Sequence, residues 1–154
     1  MAALPIRQRL LHPLHAILLA FPIALFSSAL ASDIAYLNSA EIQWTNFSQW
    51  LLAGGCLMGG LTLLWAIFLL VRAGAAEDDR IVRIQAVAYL LLLASMWTSG
   101  LLNSFLHSRD GWSSVGATGL SLSIFTTLTA LAAGWVGYAG VRIKGAKRAE
   151  GTRP

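Results

Sequence analysis

The chain has 154 residues, of which 56% are hydrophobic and only 12% are charged, against about a quarter charged in a typical soluble domain. This composition, with a mean hydropathy of +0.65, excludes an ordinary soluble domain and is typical of a membrane protein. The formal net charge of +4 does not indicate nucleic-acid binding, because basic residues that flank membrane helices contact anionic lipid headgroups.

Four segments contain no Asp, Glu, Lys or Arg: residues 16–32, 47–71, 84–106 and 115–141. Each approaches or exceeds the roughly 20 residues that a helix needs to cross about 30 Å of hydrocarbon. Backbone polar groups inside lipid must be satisfied within the segment, which favours helices. The sequence therefore predicts an all-α membrane protein with four transmembrane helices in a compact bundle. The bundle would occupy residues 13–142, between an N-terminal segment (1–12) and a basic tail (143–154).

The basic residues are distributed asymmetrically between the predicted loops. Ten of the eleven Lys and Arg residues fall in the N-terminal segment, the middle loop and the C-terminal tail, and only Arg109 falls on the other side. Because cytoplasmic loops carry the excess of Lys and Arg, both termini are predicted to be cytoplasmic in a bacterial inner membrane. The loops at 33–46 and 107–114 would then face outward. Residues 29–31 (Ala-Leu-Ala) also resemble a secretory cleavage site, but we expect the first helix to be retained.

The first helix is predicted to begin at Pro13, since proline suits the first helical turn. His12 and His15 flank it and lie three residues apart, on one face of a helix. They could anchor the helix at the interface beside lipid phosphate, bind a cofactor, or bind a metal. Anchoring is favoured, because zinc usually has three or four protein ligands. Gln85 and Tyr89 are the polar neighbours expected nearby.

The other three helices carry capping residues and small-residue motifs. Thr45-Asn46 would cap the second helix, Asp78 or Asp79 the third, and Ser113-Ser114 would precede the fourth. Gly55 and Gly59 form a GxxxG motif and Ala133 and Gly137 a second small pair, which allow close helix contacts. These faces could also bind other membrane subunits. The single cysteine, Cys56, excludes an intrachain disulfide.

A ribbon of polar residues follows the outer half of the third helix at intervals of four: Ser95, Ser99, Asn103 and His107. The fourth helix adds Thr118, Ser121, Ser123, Thr126 and Thr127, and the first adds Ser27 and Ser28. Interhelical hydrogen bonds are the favoured interpretation. The alternative is a quinone headgroup bound by His107 and Asn103. Because His107 lies a membrane thickness from His12 and His15, no single haem iron could be ligated by both groups.

The outward loop HSRDGW contains Arg109 and Asp110 directly after His107. A contact between Arg109 and Asp33 is predicted to join the outward ends of the helices, with docking of a partner as the alternative. The absence of ionisable residues from the four charge-free segments argues against a pump or coupled transporter. No phosphate loop, nucleophile elbow or HExxH motif is present, so an enzyme is not predicted.

Four stretches resemble a bacterial inner-membrane family known as domain of unknown function 2231: HPLHAILLAFPIALFSSALASDIAY, WTNFSQWLLAGGCLMGG, LLNSFLHSRDGWSSVGATGLSLS and GWVGYAGV. The resemblance covers residues 12–141 and implies a four-helix membrane protein that accompanies redox proteins and c-type cytochromes. It also implies a further histidine near the start of the third helix and a YRHG-like end of the fourth, which would suit a haem or metal. This chain has Gln85, and Ile143 and Lys144, in those regions, so that cofactor site would be lost.

Two functional hypotheses follow. The first is a non-catalytic accessory or scaffold subunit of a respiratory or photosynthetic electron-transfer assembly, in contact with membrane lipids, other membrane subunits and a redox partner at the outer face. The second is an electron-transfer module that binds haem b or quinone through His107 on one side or His12 and His15 on the other. The first hypothesis requires no cofactor, and the second requires haem b or a quinone.

Overall fold

The computed structural model describes residues 12–73, 80–109 and 115–139, which form four helices and no strand. The helices are α1 (Pro13–Ser39), α2 (Ile42–Ala73), α3 (Arg80–His107) and α4 (Ala117–Ala139). All four are long and apolar enough to cross a membrane. The predicted all-α bundle with four membrane-spanning helices is confirmed. The cytoplasmic placement of both termini stays a prediction.

The four helices form a square in which α1 and α3 lie on one diagonal. Each of these two helices packs against both α2 and α4. Two side-chain contacts cross the diagonal, His15 with Tyr89 and Asp33 with His107, and each joins residues 74 positions apart. Hence α1 and α3 run parallel. We call the two ends of the bundle the His15 end and the His107 end.

The two ends are separated by most of the thickness of a membrane. His15 and Asp33 are 18 residues apart on α1, which corresponds to about 27 Å at 1.5 Å per residue. Because Asp33 contacts His107, the histidines at opposite ends are separated by about the same distance. The predicted separation of His107 from His15 is therefore found in the structure.

The boundary between the first two helices differs from the prediction. α1 begins at Pro13 as predicted, but it continues to Ser39 and α2 begins at Ile42. The predicted outward loop at 33–46 is wrong, because only Ala40 and Glu41 join the helices. Ala40 adopts the left-handed conformation (φ 57°), and its backbone N–H donates to the Tyr36 carbonyl. This left-handed cap, rather than the charge of Asp33, ends the helix.

Several other predicted features are displaced or lie outside the described residues. The predicted cap residue Thr45 is buried inside α2, and α4 begins at Ala117. The predictions for Asp110, for the caps at 78–79 and 113–114 and for the domain boundary at 142 concern residues outside the described part of the chain. The same is true of residues 143–144.

The centre of the bundle is built around Phe26 of α1. Its ring occupies the space that side chains at Gly55 of α2 and Gly100 of α3 would fill, since a Cβ atom there would lie 2.6 Å and 2.7 Å from it. Leu19, Leu93 and Met96 are also fully buried in this core. The small residues therefore allow three helices to approach one aromatic ring.

Candidate functional site

A carboxylate is buried where the four helices meet near the His107 end. Asp33 of α1 has no exposed surface and contacts a side chain from each of the other helices. Its Oδ1 lies 2.9 Å from His107 Nε2 of α3 and accepts a 2.6 Å hydrogen bond from Ser48 of α2. Its Oδ2 accepts a hydrogen bond from Ser123 of α4. We call Asp33, Ser48, His107 and Ser123 the Asp33 centre.

The contacts of His107 indicate how many protons the two ionisable groups of the centre, Asp33 and His107, share. His107 Nδ1 lies 3.0 Å from the Asn103 carbonyl oxygen, which can only accept, so Nδ1 carries a proton. Nε2 faces a carboxylate oxygen, and one further proton lies between them. Whether the pair is imidazolium and carboxylate or imidazole and carboxylic acid, its net charge is zero. This neutrality makes burial of the two groups tolerable.

A second set of hydrogen bonds surrounds the centre. Asn103 Nδ2 donates to Ser123 Oγ over 2.6 Å, and Gln49 donates to the His107 carbonyl. Ser48 also approaches the Ala29 carbonyl at 3.4 Å. The Asp33 and His107 side chains are completely enclosed. Both nitrogens of His107 are therefore used within the chain, and neither is available to a metal or a haem.

Two predictions about charge are wrong. Arg109 is exposed, and the partner of Asp33 is His107, so the predicted contact between Arg109 and Asp33 is not formed. The expectation that no ionisable group lies within a span also fails, because Asp33 lies inside the first candidate span. A buried ionisable group in a membrane helix marks a candidate functional site, and the sequence reasoning missed it.

A signal for this site was present in the sequence. Asp33 follows His15 by 18 residues, which is five turns at about 3.6 residues per turn. The two side chains therefore lie on the same face of α1, and this face is directed to the interior. A charge that follows an apolar run is also typical of the end of a membrane helix, which is why the sequence predicts a loop from residue 33.

The predicted polar ribbon of α3 is largely internal. Ser99, Asn103 and His107 are buried, whereas Ser95 is exposed. Ser99 accepts a 2.8 Å hydrogen bond from Thr126 of α4. These contacts agree with the favoured interpretation of the ribbon as interhelical hydrogen bonds. A quinone bound by His107 is not supported, because the imidazole is already bonded on both sides.

The other two histidines have different roles at the His15 end. His15 is fully buried, and its Nε2 lies 2.8 Å from the Tyr89 hydroxyl, the neighbour that the sequence predicted. His12 is exposed, and its Nδ1 accepts a 3.3 Å hydrogen bond from the Leu14 backbone N–H. Its ring also lies 6.4 Å from that of Trp65. His12 is thus the N-cap of α1, whereas His15 contacts Tyr89 in the interior.

The residues present do not fit a haem held by two histidines or a metal cluster. Among the described residues, no group of three or more His, Cys, Asp and Glu could hold a metal ion. His107 has no free nitrogen, and His15 offers only Nδ1, at the opposite end of the bundle. The haem site implied by the resemblance is therefore not formed by these histidines.

The predicted structural glycines lie inside this chain's own bundle. Gly55 faces Phe26, and Gly59 faces Met96 of α3. Gly137 is buried on α4. Because Gly55 and Gly59 are covered by neighbouring helices, they do not form the surface that was predicted to bind other subunits.

A family model described as a predicted membrane protein, domain of unknown function 2231, matches residues 11–147. The chain belongs to this family. The matched residues include all four helices. The family resemblance seen in the sequence is therefore confirmed. No curated protein and no solved structure matches the chain. Membership in the family and four apolar helices describe a multi-pass integral membrane protein.

Proposed function

We propose that the chain is a non-catalytic accessory or scaffold subunit of an electron-transfer assembly in a bacterial inner membrane. The enclosed Asp33 centre carries this proposal. Every polar atom of the Asp33 and His107 side chains is bonded within the chain, and neither side chain is exposed. A group that handled substrate would need an accessible atom. Here the polar groups instead hold four helices in one arrangement.

The outer surface supports a role in assembly. Trp50 has 79% of its surface exposed, in a position that suits contact with lipid or other membrane subunits. At the His107 end, a groove of about 710 Å³ is lined by Trp44, Phe47 and Trp50 together with polar residues of α2. This groove lies on the side where a redox partner was predicted. The association with electron transfer itself is supported by the family resemblance.

Purification from native membranes tests the accessory role. The full chain would carry a C-terminal affinity tag, be extracted in a mild detergent, and be analysed by native electrophoresis, mass spectrometry and absorption spectroscopy. We expect it to migrate in a larger assembly that contains other membrane subunits and a redox protein. A Trp50→Ala variant should lose part of this assembly, whereas Trp135→Ala serves as the matched control away from the groove. A single chain without companions would contradict the proposal.

The alternative of a haem b module is tested on the same material. A reduced-minus-oxidised spectrum of the chain, separated from its companions, should contain no haem bands. Haem bands that disappear in a His15→Phe variant would favour the electron-transfer module instead.

A further inference from the structure

The groove at the His107 end combines aromatic rings with one carboxylate. It has a volume of about 710 Å³ and is lined by Glu41, Gln43, Trp44, Asn46, Phe47 and Trp50, all of which are exposed. The faces of aromatic rings attract cations, and tryptophan does so most strongly. A carboxylate beside such rings is complementary to a positive charge. The lining of the groove therefore suits an ammonium group.

The groove lies at the depth of lipid headgroups. His15 and Asp33 are about 27 Å apart along α1, close to the thickness of the hydrocarbon core, which is about 30 Å. Ser48 of α2 contacts Asp33 and so lies near the same boundary. Glu41 precedes Ser48 by seven residues, or about 10 Å of helix rise. Because the headgroup layer on each side is about 5–8 Å thick, the polar residues of the groove lie beside headgroups rather than acyl chains.

The lining residues follow one another in the order of the groups in a phospholipid. α2 runs from this end towards the His15 end, so Phe47 and Trp50 lie deepest, next to the hydrocarbon. Gln43 and Asn46 come next, and their amide N–H groups can donate to phosphate oxygens. Glu41 lies outermost. A zwitterionic phospholipid presents acyl chains, phosphate and ammonium in this same sequence.

We propose that this groove binds the headgroup of a zwitterionic phospholipid that carries an ammonium group. The ammonium would lie between the Glu41 carboxylate and the Trp44 indole, which are close along the chain because the Trp44 backbone N–H donates to the Glu41 carbonyl over 3.1 Å. The amides of Gln43 and Asn46 would bind the phosphate. An anionic phospholipid without an amine would bring its negative charge near Glu41 with no cation to offset it, so the amine determines the selectivity. This inference goes beyond the accessory role and does not depend on it.

Native mass spectrometry of the purified full chain in a mild detergent tests this site. Phosphatidylethanolamine and phosphatidylglycerol with the same acyl chains would be added in equal amounts, because only the first carries an ammonium group. We expect the original chain to retain more phosphatidylethanolamine. Glu41→Gln keeps the shape of the side chain and removes its charge. It should lower the ratio of bound phosphatidylethanolamine to phosphatidylglycerol about two- to fivefold, the effect of one exposed ion pair.

Two tryptophan variants provide a matched comparison. Trp44→Leu removes an aromatic ring from the groove and should lower the lipid ratio about two- to fivefold, the effect of one exposed cation–π contact. Trp135→Leu removes a ring from an exposed position on α4 and should leave the ratio unchanged. The melting temperature of each variant in detergent shows whether it is folded.

Three results would overturn the proposal. The first is equal retention of the two lipids by the original chain, a measurement that needs no variant. The second is a lipid ratio that is unchanged in folded Glu41→Gln and Trp44→Leu. The third is a protein that copurifies from native membranes and is released by Glu41→Gln while the lipid ratio stays the same, which would assign the groove to a protein partner. Because the lipid ratio is measured on the chain without companions, its failure leaves the accessory role untouched.

Discussion

At the residue scale, the Asp33 centre uses one carboxylate to join four helices. His107, Ser48 and Ser123 come from three different helices and converge on the two oxygens of Asp33. A carboxylate accepts several hydrogen bonds at once, which a single neutral hydroxyl or amide oxygen cannot match. The pair of Asp33 and His107 is therefore expected to contribute to the specificity of the helix arrangement, and removal of one member leaves the other unpaired.

A double-mutant cycle between Asp33 and His107 measures this pairing. Asp33→Asn and His107→Gln should each lower the free energy of unfolding by about 1–3 kcal/mol, because each leaves a buried polar partner without its hydrogen bond. The double variant should cost less than the sum of the two, with a coupling of about 1–3 kcal/mol. Unfolding by denaturing detergent in mixed micelles provides the measurement. Asn38→Ala, on an exposed residue that bonds only to its own helix, is the control, and additive effects of the two variants would contradict the pairing.

Two serines of α4 give a matched comparison. Ser123 donates to Asp33 and accepts from Asn103, whereas Ser121 is exposed and donates to the Ala117 carbonyl of its own helix. Ser123→Ala should lower the free energy of unfolding by about 1–3 kcal/mol, because it leaves buried polar groups unpaired. Ser121→Ala should change it by less than about 0.5 kcal/mol. The same detergent titration applies, and equal effects would show that the centre contributes little.

At the element scale, adjacent glycines of α2 face different surroundings. A Cβ atom at Gly55 would lie 2.6 Å and 2.8 Å from two atoms of the Phe26 ring, which is too close. At Gly54 the nearest atom is Leu25 Cδ1 at 3.5 Å, an ordinary contact. Gly55 is therefore required by packing, and Gly54 is not.

Alanine substitutions distinguish these two glycines. Gly55→Ala should lower the free energy of unfolding by about 1–3 kcal/mol, since the core must shift to admit a methyl group. Gly54→Ala should leave it unchanged or raise it by up to about 1 kcal/mol, because alanine favours a helix more than glycine does. Thermal unfolding in detergent compares them, and a loss of stability on Gly54→Ala equal to that on Gly55→Ala would argue against the Phe26 packing.

The helices could be predicted from the sequence because lipid imposes a simple rule on long apolar segments. The start at Pro13 and the position of Tyr89 beside His15 were also predictable, since both follow from helix geometry. The turn at Ala40 was not, because alanine gives no local signal for a left-handed conformation. The partner of Asp33 was not predicted either: its burial depends on α1 continuing for six residues after the charge, and the pairing depends on how the helices pack.

At the scale of the whole molecule, the polar residues form two separate sites about 27 Å apart. At the His107 end the side chains of Asp33 and His107 are fully bonded, and at the His15 end the buried His15 contacts the Tyr89 hydroxyl. Both ends also contain buried polar atoms without a hydrogen-bond partner, such as Asn103 Oδ1 and His15 Nδ1. Phe26, Leu93 and Met96 fill the apolar core between them. Each end is therefore held by its own polar contacts across the bundle, with apolar packing between them.

The orientation of the chain is a testable property at this scale. Four spans place both termini on one side, and the excess of Lys and Arg predicts that this side is the cytoplasm. A fluorescent protein that matures only in the cytoplasm should fluoresce when fused to either terminus. An alkaline phosphatase fusion, active only outside the inner membrane, should be inactive at both positions. Phosphatase activity at either terminus would contradict the predicted orientation.

The structural role of the Asp33 centre requires that both nitrogens of His107 are bonded within the chain, and nitrogen NMR of histidine-labelled protein in lipid bilayers measures this bonding. Because the chain has three histidines, single substitutions assign each signal. We expect a His107 ring in which both nitrogens are hydrogen-bonded, and an Asp33→Asn substitution should shift its Nε2 signal while the His12 and His15 signals stay in place. An Nε2 signal that does not change on this substitution, or one shifted by a bound metal, would show that His107 is not bonded to Asp33.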